Sequence, residues 1–334
     1  MIKKNSCPLA NRLFPLPILC LLFLLLLPAP ARALENIRLA YPSMSSSVFY
    51  FIVAQKEGYF KEEGLNVEIL SVRGEIAIRT ALAGEIDFFT NAGSSLAAAV
   101  RGVPVKIVVV VQDRPSWDFI VQPQIKSVAQ LRGTTIGVMS PEGSLAVATR
   151  EILRKNGLDP QKDANLVVMG GDDVRYMALK GKAIQATLVN PPTGIRAQKE
   201  GFVRLLSAGD YVKSVQGGLA TTDEKIKQNP GKIAKFIRAS LKGLNYFLTK
   251  REPSINYMMD IMKLKDRELG EAIYDYDSKF LLKDGTTQEK LLQELIDDMK
   301  KTTKVNKEIK VTDVFDLSFV RKANEELKAS GWKP

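Results

Sequence analysis

Apolar residues along this chain gather in short runs, and the stretches between them carry apolar positions at helical spacing. From Asn36 onward, strand-like and helix-like segments alternate, the pattern of a mostly parallel sheet with helices on its faces. Ile37 to Ala40 reads as the first strand. Ser45, Ser46 and Ser47 then offer caps for a helix through Val48, Phe49, Ile52 and Val53 that ends near Gly58. Val67 to Leu70 predicts a strand, Ile76 to Ala83 a helix stopped by Gly84, and Ile86 to Thr90 and Val105 to Val111 two more strands. Between those two lies a short alanine-rich helix, Ser94 to Val100. The Val105–Val111 run is β-branched except for Lys106, as expected of a strand buried on both faces.

A second unit follows the polar stretch Gln112 to Ser116. It reads as an extended segment (Phe119 to Val121), a helical turn (Val128 to Leu131), a strand (Thr134 to Met139) and a helix from Ser144 to about Asn156 capped by Gly157. A strand (Leu166 to Met169), a helix (Asp172 to Lys180), a strand (Ile184 to Val189), a helix after Pro191-Pro192 and a strand (Val203 to Leu206) complete it. The chain then returns through Leu219 to Thr222, and Gly217-Gly218 is expected to supply positive φ for a flexible crossover. Beyond Asn229-Pro230 the pattern is helical, with Ile233, Phe236, Ile237, Leu241, Leu244, Phe247 and Leu248 on one face. Further helices are predicted near 254–263, 267–280, 287–301 and 317–330.

The amino terminus changes the picture. Lys3, Lys4 and Arg12 flank an apolar run from Leu13 to Leu27, and Ala31-Arg32-Ala33 offers a small-x-small cleavage pattern. Residues 1–33 are therefore expected to be a cleaved signal peptide, with a mature start at Leu34 and a periplasmic destination. Cys20 follows Pro17-Ile18-Leu19, without the small residue that usually precedes a lipidated cysteine. Both cysteines, Cys7 and Cys20, fall in that leader, and the chain has no histidine. A zinc site or a Cys–His or Ser–His nucleophile is thereby excluded from the mature chain, and no cofactor or metal is expected. The 48 basic residues outnumber the 37 acidic ones, but they are interleaved with acids, as in Lys61-Glu62-Glu63. That is a solvated surface rather than a nucleic-acid footprint.

Several stretches together resemble a known family. Gly58-Tyr59-Phe60-Lys61-Glu62-Glu63-Gly64-Leu65-Asn66-Val67-Glu68, Ala81-Leu82-Ala83-Gly84-Glu85-Ile86-Asp87-Phe88, and Arg101-Gly102-Val103-Pro104-Val105-Lys106 are similar to motifs of the NMT1/THI5-like, sulfonate- and nitrate-type solute-binding proteins of ABC importers. Leu131 to Val138 and Leu179 to Thr187 add two more in order. The resemblance implies an α/β, type II periplasmic-binding-protein fold: two doubly wound lobes joined by two crossover strands. Lobe I would comprise 34–115 and 220–334, the latter mostly helical, and lobe II 116–219. It further implies a monomeric, non-enzymatic protein that captures a small polar or anionic organic solute (a sulfonate, carboxylate or pyrimidine precursor) for a membrane ABC permease. A sensing role, presenting the ligand to a signalling receptor, is the alternative. A yeast pyrimidine synthase branch of the same fold relies on a histidine and a cysteine-rich motif, and this chain has neither outside the leader.

In open α/β sheets, ligands bind beyond the carboxyl ends of the strands. The loops there nominate Ser43, Ser45, Ser46, Thr90, Asn91, Arg114, Trp117, Ser144 and Asn190 as ligand-binding residues. Unpaired N–H groups at helix starts suit an anionic or carbonyl-bearing ligand. Several of these nominations have a plainer counterpart. The serines cap helices, Trp117 packs between lobes instead of stacking on a planar ligand, Arg114 bridges lobes instead of clasping a carboxylate or sulfonate, and Asn190 sets a turn. Gly170-Gly171-Asp172-Asp173 reads as a helix start and lacks the lysine of a phosphate loop.

Overall fold

In the computed structural model, Met1 and residues 33–42, 44, 46–72, 74–139, 141 and 144–334 are described. The signal-peptide expectation and the Ser43 and Ser45 nominations lie outside them, as does the side chain of Ser46. Two five-stranded mixed sheets organise the rest. Sheet one is built from β1 (Glu35–Tyr41), β2 (Leu65–Ser71), β3 (Phe88–Phe89), β4 (Val105–Gln112) and β10 (Gly217–Thr222), in the order β2-β1-β3-β10-β4. Sheet two uses β5 (Asp118–Val121), β6 (Thr134–Val138), β7 (Ala164–Val168), β8 (Ala186–Val189) and β9 (Val203–Ser207), in the order β7-β6-β8-β5-β9. The two lobes of the expected fold are these sheets with their flanking helices.

Lobe one carries α1 (Ser46–Lys56), α2 (Tyr59–Glu62), α3 (Gly74–Leu82) and α4 (Ala92–Val100). To these the carboxyl-terminal half adds α8 (Asp223–Gln228), α9 (Pro230–Thr249), α10 (Arg251–Met262), α11 (Arg267–Asp277), α12 (Glu289–Thr303), α13 (Val311–Val314) and α14 (Ser318–Ala329). The apolar face of α9 buries Ile233, Phe236, Ile237, Leu241, Leu244 and Phe247, while Leu248 is half-buried. Phe236 stacks on Phe88 at 4.2 Å, on Phe60 at 5.1 Å and on Phe51 at 5.9 Å, fusing strand and helices into one core. Gly243 sets how closely α9 crosses α1, since a Cβ there would stand 2.2 Å from the Tyr50 carbonyl oxygen.

The Val105–Val111 strand is buried as its composition requires, yet it sits at the edge of its sheet. Chain from the carboxyl-terminal half covers that edge. Leu282 N–H donates to the Val111 carbonyl, Val110 N–H to the Gly285 carbonyl, and Phe315 bridges to Ile107. Pairing the edge in this way removes a template for aggregation.

Lobe two carries α5 (Ser144–Lys155), α6 (Asp172–Lys180) and α7 (Pro191–Lys199). Its apolar residues divide into two clusters. Trp117, Phe119, Ile136, Leu145, Ile152 and Leu188 belong to one, and Ile120, Tyr176, Leu179, Ile184, Val189 and Ala197 to the other. Three short helices escaped the periodicity: α2, after Gly58 at φ +80°, α8, capped by the Thr222 hydroxyl, which accepts from Lys225 N–H at 3.2 Å, and α13.

Candidate functional site

Strand directions locate a gap without reference to any ligand. In sheet one, β2 and β3 run parallel to β1, and β10 antiparallel to both β3 and β4. The carboxyl ends of β1 to β4 therefore share one edge, where Gln112 pairs with Gly217. In sheet two, β6, β7 and β8 run parallel, β5 is antiparallel to β8 and β9, and Asp118 pairs with both Val189 and Ser207. The chain crosses between sheets only through 113–117 and 208–216. Both sets of strand carboxyl ends thus face the space those crossovers span.

The crossovers are bonded to one another. Ala208 N–H donates to the Trp117 carbonyl (2.9 Å), Ser214 N–H to that of Asp113 (3.1 Å) and Gln216 N–H to that of Gln112 (3.0 Å). Gly209 fits against the partner segment because a Cβ there would stand 2.6 Å from the Pro115 carbonyl oxygen. Gly217 and Gly218 play a different part from the expected one. Neither is at positive φ. A Cβ on Gly217 would meet the Ser47 side chain at 2.7 Å, and one on Gly218 the Val109 carbonyl at 2.4 Å. They are glycine for close strand packing, not for rotation.

On the lobe-one wall, Thr90 is buried at the end of β3, its N–H bonded to the Ala40 carbonyl at 3.0 Å. Asn91 occupies the N-cap of α4, whose first turn exposes Gly93 and Ser94. On the lobe-two wall, exposed Ser144 opens α5, and Asn190 is the N-cap of α7. These four share the gap. Trp117 is mostly buried and packs in a lobe-two core cluster with Phe119 and Leu188. Arg114 lies over the Phe280 ring, 5.2 Å from its centroid.

Two polar clusters were missed by sequence reasoning. Arg175 on α6 is fully buried beneath the lobe-two wall. Its Nε donates to the Thr187 hydroxyl (3.1 Å) and Nη2 to the Leu188 carbonyl (3.1 Å), while further bonds reach the Gly170 carbonyl and Asp172. Burial pulls its guanidinium pKa down, against the opposing charge of Asp172. The other oxygen of Asp172 accepts from Asn190 N–H at 2.8 Å and from Asn190 Nδ2 at 2.7 Å. The loops after β7 and β8 are thereby tied to one buried cation. A charge at a core-facing helix position beside Tyr176 and Leu179 was the available signal.

The second cluster spans the lobes at the root of the crossovers. Asp118 Oδ1 accepts from Arg204 Nε (2.5 Å) and from the Tyr276 hydroxyl (2.6 Å), and Arg204 Nη2 donates to the same hydroxyl (2.9 Å). Burial pushes the Asp118 carboxyl above the usual carboxylate range despite these donors. Tyr276 belongs to α11, which also meets α7 through Lys199 with Asp266 (3.3 Å) and Glu268 (3.6 Å). The carboxyl-terminal helices therefore reach from lobe one onto lobe two.

An open cavity of about 430 Å³ lies elsewhere, at the amino ends of the sheet-one strands among Arg38, Glu68, Glu85, Asp87, Lys225 and Lys232. Arg38 pairs with Glu68, and both lysines pair with Asp87. Asp87 accepts from Arg38 N–H (2.9 Å), Lys225 (3.0 Å) and Lys232 (3.3 Å). Burial raises the Asp87 carboxyl, but these donors outweigh it and hold the pKa below its ordinary value. That cluster staples β1, α8 and α9 together and lies at the opposite end of the strands from the gap.

The NMT1/THI5 like family matches this chain over residues 45–253. The chain belongs to that family. The riboflavin-binding protein RibY of Chloroflexus aurantiacus is 28% identical over 257 residues, which is 73% of this chain and 71% of RibY. The yeast 4-amino-5-hydroxymethyl-2-methylpyrimidine phosphate synthase THI13 (Saccharomyces cerevisiae) is 25% identical over 214 residues, 59% of this chain and 62% of that protein. In architecture, the periplasmic aliphatic sulphonate binding protein SsuA from Escherichia coli superposes with a TM-score of 0.69 at 17% identity, covering 84% of this chain and 91% of SsuA. That likeness is one of fold: a family member built as a periplasmic-binding-protein scaffold.

Proposed function

We propose that this chain is an extracytoplasmic solute-binding protein that closes its two lobes around a small polar organic solute and delivers it to an ABC permease. The observation that carries this reading is the gap itself, bordered by the strand carboxyl ends of both sheets and spanned by only two bonded crossovers. Such clefts close by hinge motion, and a ligand that touches both walls favours the closed state. The lobes are taken as 34–115 with 220–334, and 116–219, after removal of residues 1–33. Thr90, Asn91, Ser144 and Asn190 are the proposed contact residues, together with Ser43, Ser45 and Ser46. Membership of a family whose relatives include riboflavin- and sulfonate-binding proteins supports binding. Against an enzyme like the yeast synthase stands the absence of histidine from the sequence.

Two measurements on the purified protein test the proposal. A ligand at about one hundred times its Kd stabilises the native state by about 2.7 kcal/mol, which a thermal-shift screen of sulfonates, carboxylates and pyrimidines reads directly. Small-angle scattering with the hit at saturation should show a smaller radius of gyration. An unchanged scattering profile with a bound ligand would mean that no closure occurs, and the delivery signal would need another origin.

A further inference from the structure

Helix α11 lies between the lobes, and its two sides differ in chemistry. Toward lobe one it buries Ile273 and Tyr274 in the apolar core, where the Tyr274 hydroxyl donates to the Phe247 carbonyl of α9 at 2.5 Å. Gly270 lets it press on α10, since a Cβ there would stand 2.7 Å from Met259 Cγ. Arg251 of α10 forks onto Asp275 (2.9 and 2.8 Å), and Arg267 pairs with Glu252. Toward lobe two, one half-buried residue of α7, Ile195, packs against the lobe-one core. The bonds on that side are polar: Tyr276 with Asp118 and Arg204 at one end, and Lys199 with Asp266 and Glu268 at the other. Apolar burial and a close helix crossing hold α11 to lobe one, so the polar side is the one that can slide.

The two ends of the polar side are unlike. The α7 helix starts at the gap and runs away from it, and its last residue, Lys199, meets the start of α11. The α11 helix therefore returns along α7 to the crossovers. There the contact is buried. The Asp118 side chain is 1% exposed, its Oδ1 accepts from both Tyr276 and Arg204, and the Arg204 guanidinium also lies 5.0 Å from the Tyr276 ring centroid. Its Oδ2 has no donor among the described residues, and Gly194 closes over it, where a Cβ would stand 2.7 Å away. Losing Tyr276 would leave a buried carboxylate with Arg204 as its one side-chain donor, so this contact resists breaking. Phe280, just past α11, abuts the second crossover, since a Cβ on Gly209 would stand 3.0 Å from its ring. At the far end the side chains of Lys199, Asp266 and Glu268 are half or more exposed, and such pairs part at little cost.

We propose that α11 is a rigid arm of lobe one on which lobe two turns, with the Tyr276 hydroxyl, held by Asp118 and Arg204, as the fulcrum. This rests on the solute-binding reading above and deepens it, giving the closing motion a fixed point outside the two crossovers. Glu268 precedes Tyr276 by eight residues, about 12 Å along a helix. A rigid-body rotation of about 15° shifts that end by about 3 Å against α7 and leaves the hydroxyl where it is.

The test is electron paramagnetic resonance on paired nitroxide labels in the solute-free protein, with Cys7 and Cys20 replaced by serine so that no other thiol is labelled. One pair, Asp210→Cys with Lys279→Cys, flanks the fulcrum; the other, Lys199→Cys with Glu268→Cys, spans the far end. All four positions are exposed. The far pair should show a distance distribution about twofold or more wider than the near pair, as distance from a fixed point requires. Equal widths, or a wider near pair, would overturn the proposal. Tyr276→Phe removes one hydroxyl and should broaden the near pair toward the width of the far pair, with circular dichroism confirming the fold. A near pair that stays narrow in that folded variant would also overturn it. If Tyr276→Phe fails to fold, the two label pairs decide alone. None of these measurements uses a solute, so the thermal-shift screen judges the solute-binding reading separately.

Discussion

In lobe one, four phenylalanines from a strand and three helices stack into a single core. Lobe two instead divides its apolar residues between the faces of its sheet and keeps an arginine and a carboxylate, Arg175 and Asp118, fully buried beside them. Aromatic burial is non-directional and tolerates small displacements, whereas a buried guanidinium fixes the atoms it touches within hydrogen-bond geometry. Lobe one is thus the stable platform, and lobe two spends stability on holding two gap-facing loops in place. Damage to the first should cost folding; damage to the second should cost the site.

The comparison can be broken by substitution, and the largest effect is expected in lobe one. Phe236→Ala should destabilise by about 3–5 kcal/mol, the range for deleting a buried aromatic side chain. Urea unfolding would measure it, and the molecules still folded should keep their ligand affinity. A smaller loss is expected from Arg175→Met, about 2–3 kcal/mol, because its carboxylate partner Asp172 retains some contact with solvent. Here affinity should fall as well, since the loops after β7 and β8 lose their shared anchor. If Arg175→Met proved more costly to folding than Phe236→Ala while leaving affinity intact, the division of labour between lobes would be wrong.

Two buried carboxylates with opposite pKa shifts sharpen the contrast through pH. Asp87 in lobe one has a depressed pKa, so its stabilisation is present above the unfolded value of about 3.9 and is lost as pH falls through the folded pKa. Asp118 has a raised pKa, so its contribution is full below about 3.9 and is lost as pH rises through the folded value. Melting temperatures across the acid range should show Asp87→Asn removing part of the acid-induced loss and Asp118→Asn removing an opposing slope. The smallest effect belongs to the exposed pairs of Lys199 with Asp266 and Glu268. Lys199→Ala should change stability by about 0.5 kcal/mol or less, because solvent screens such pairs.

Which of these features the sequence disclosed follows from how far each depends on local pattern. The strands and long helices were readable because their periodicity is local: Asp172–Lys180 begins and ends where its residues predict. The motifs that carry the family resemblance turn out to be scaffold. Gly58 and Gly84 hold left-handed turns, Tyr59 packs against Trp332, Phe60 stacks on Phe236, and Glu63 receives a forked pair from Arg238. Asp87 of the third strand's motif is the lobe-one staple. Those residues report the family and say nothing of the ligand. Thr90, Asn91 and Asn190 were nominated because they directly follow strands, and Ser144 because it opens the helix after β6. Trp117 and Arg114 are hard to assign from sequence because packing at a crossover and contact with a ligand draw on the same residue types. Asp118 was invisible, since its partners Arg204 and Tyr276 lie 86 and 158 residues away.

The return of β10 into sheet one also sets an order of assembly. Residues 217–222 lie between β3 and β4, whose own sequences end at Phe89 and Gln112. As the chain emerges from the ribosome, β4 has no neighbour in its sheet until all of lobe two has been made. Phe236, the centre of the aromatic stack, arrives later still. Lobe two, from 118 to 207, has every strand it needs before β10 and Phe236 are made, so it is the piece that can close first. The lobe with the apolar core is therefore the last to complete it, and until Gly217 is made its β4 has no partner strand. Delayed closure of that kind keeps a polypeptide threadable, and it makes the segment from Gly217 to Phe236 the point after which it no longer is.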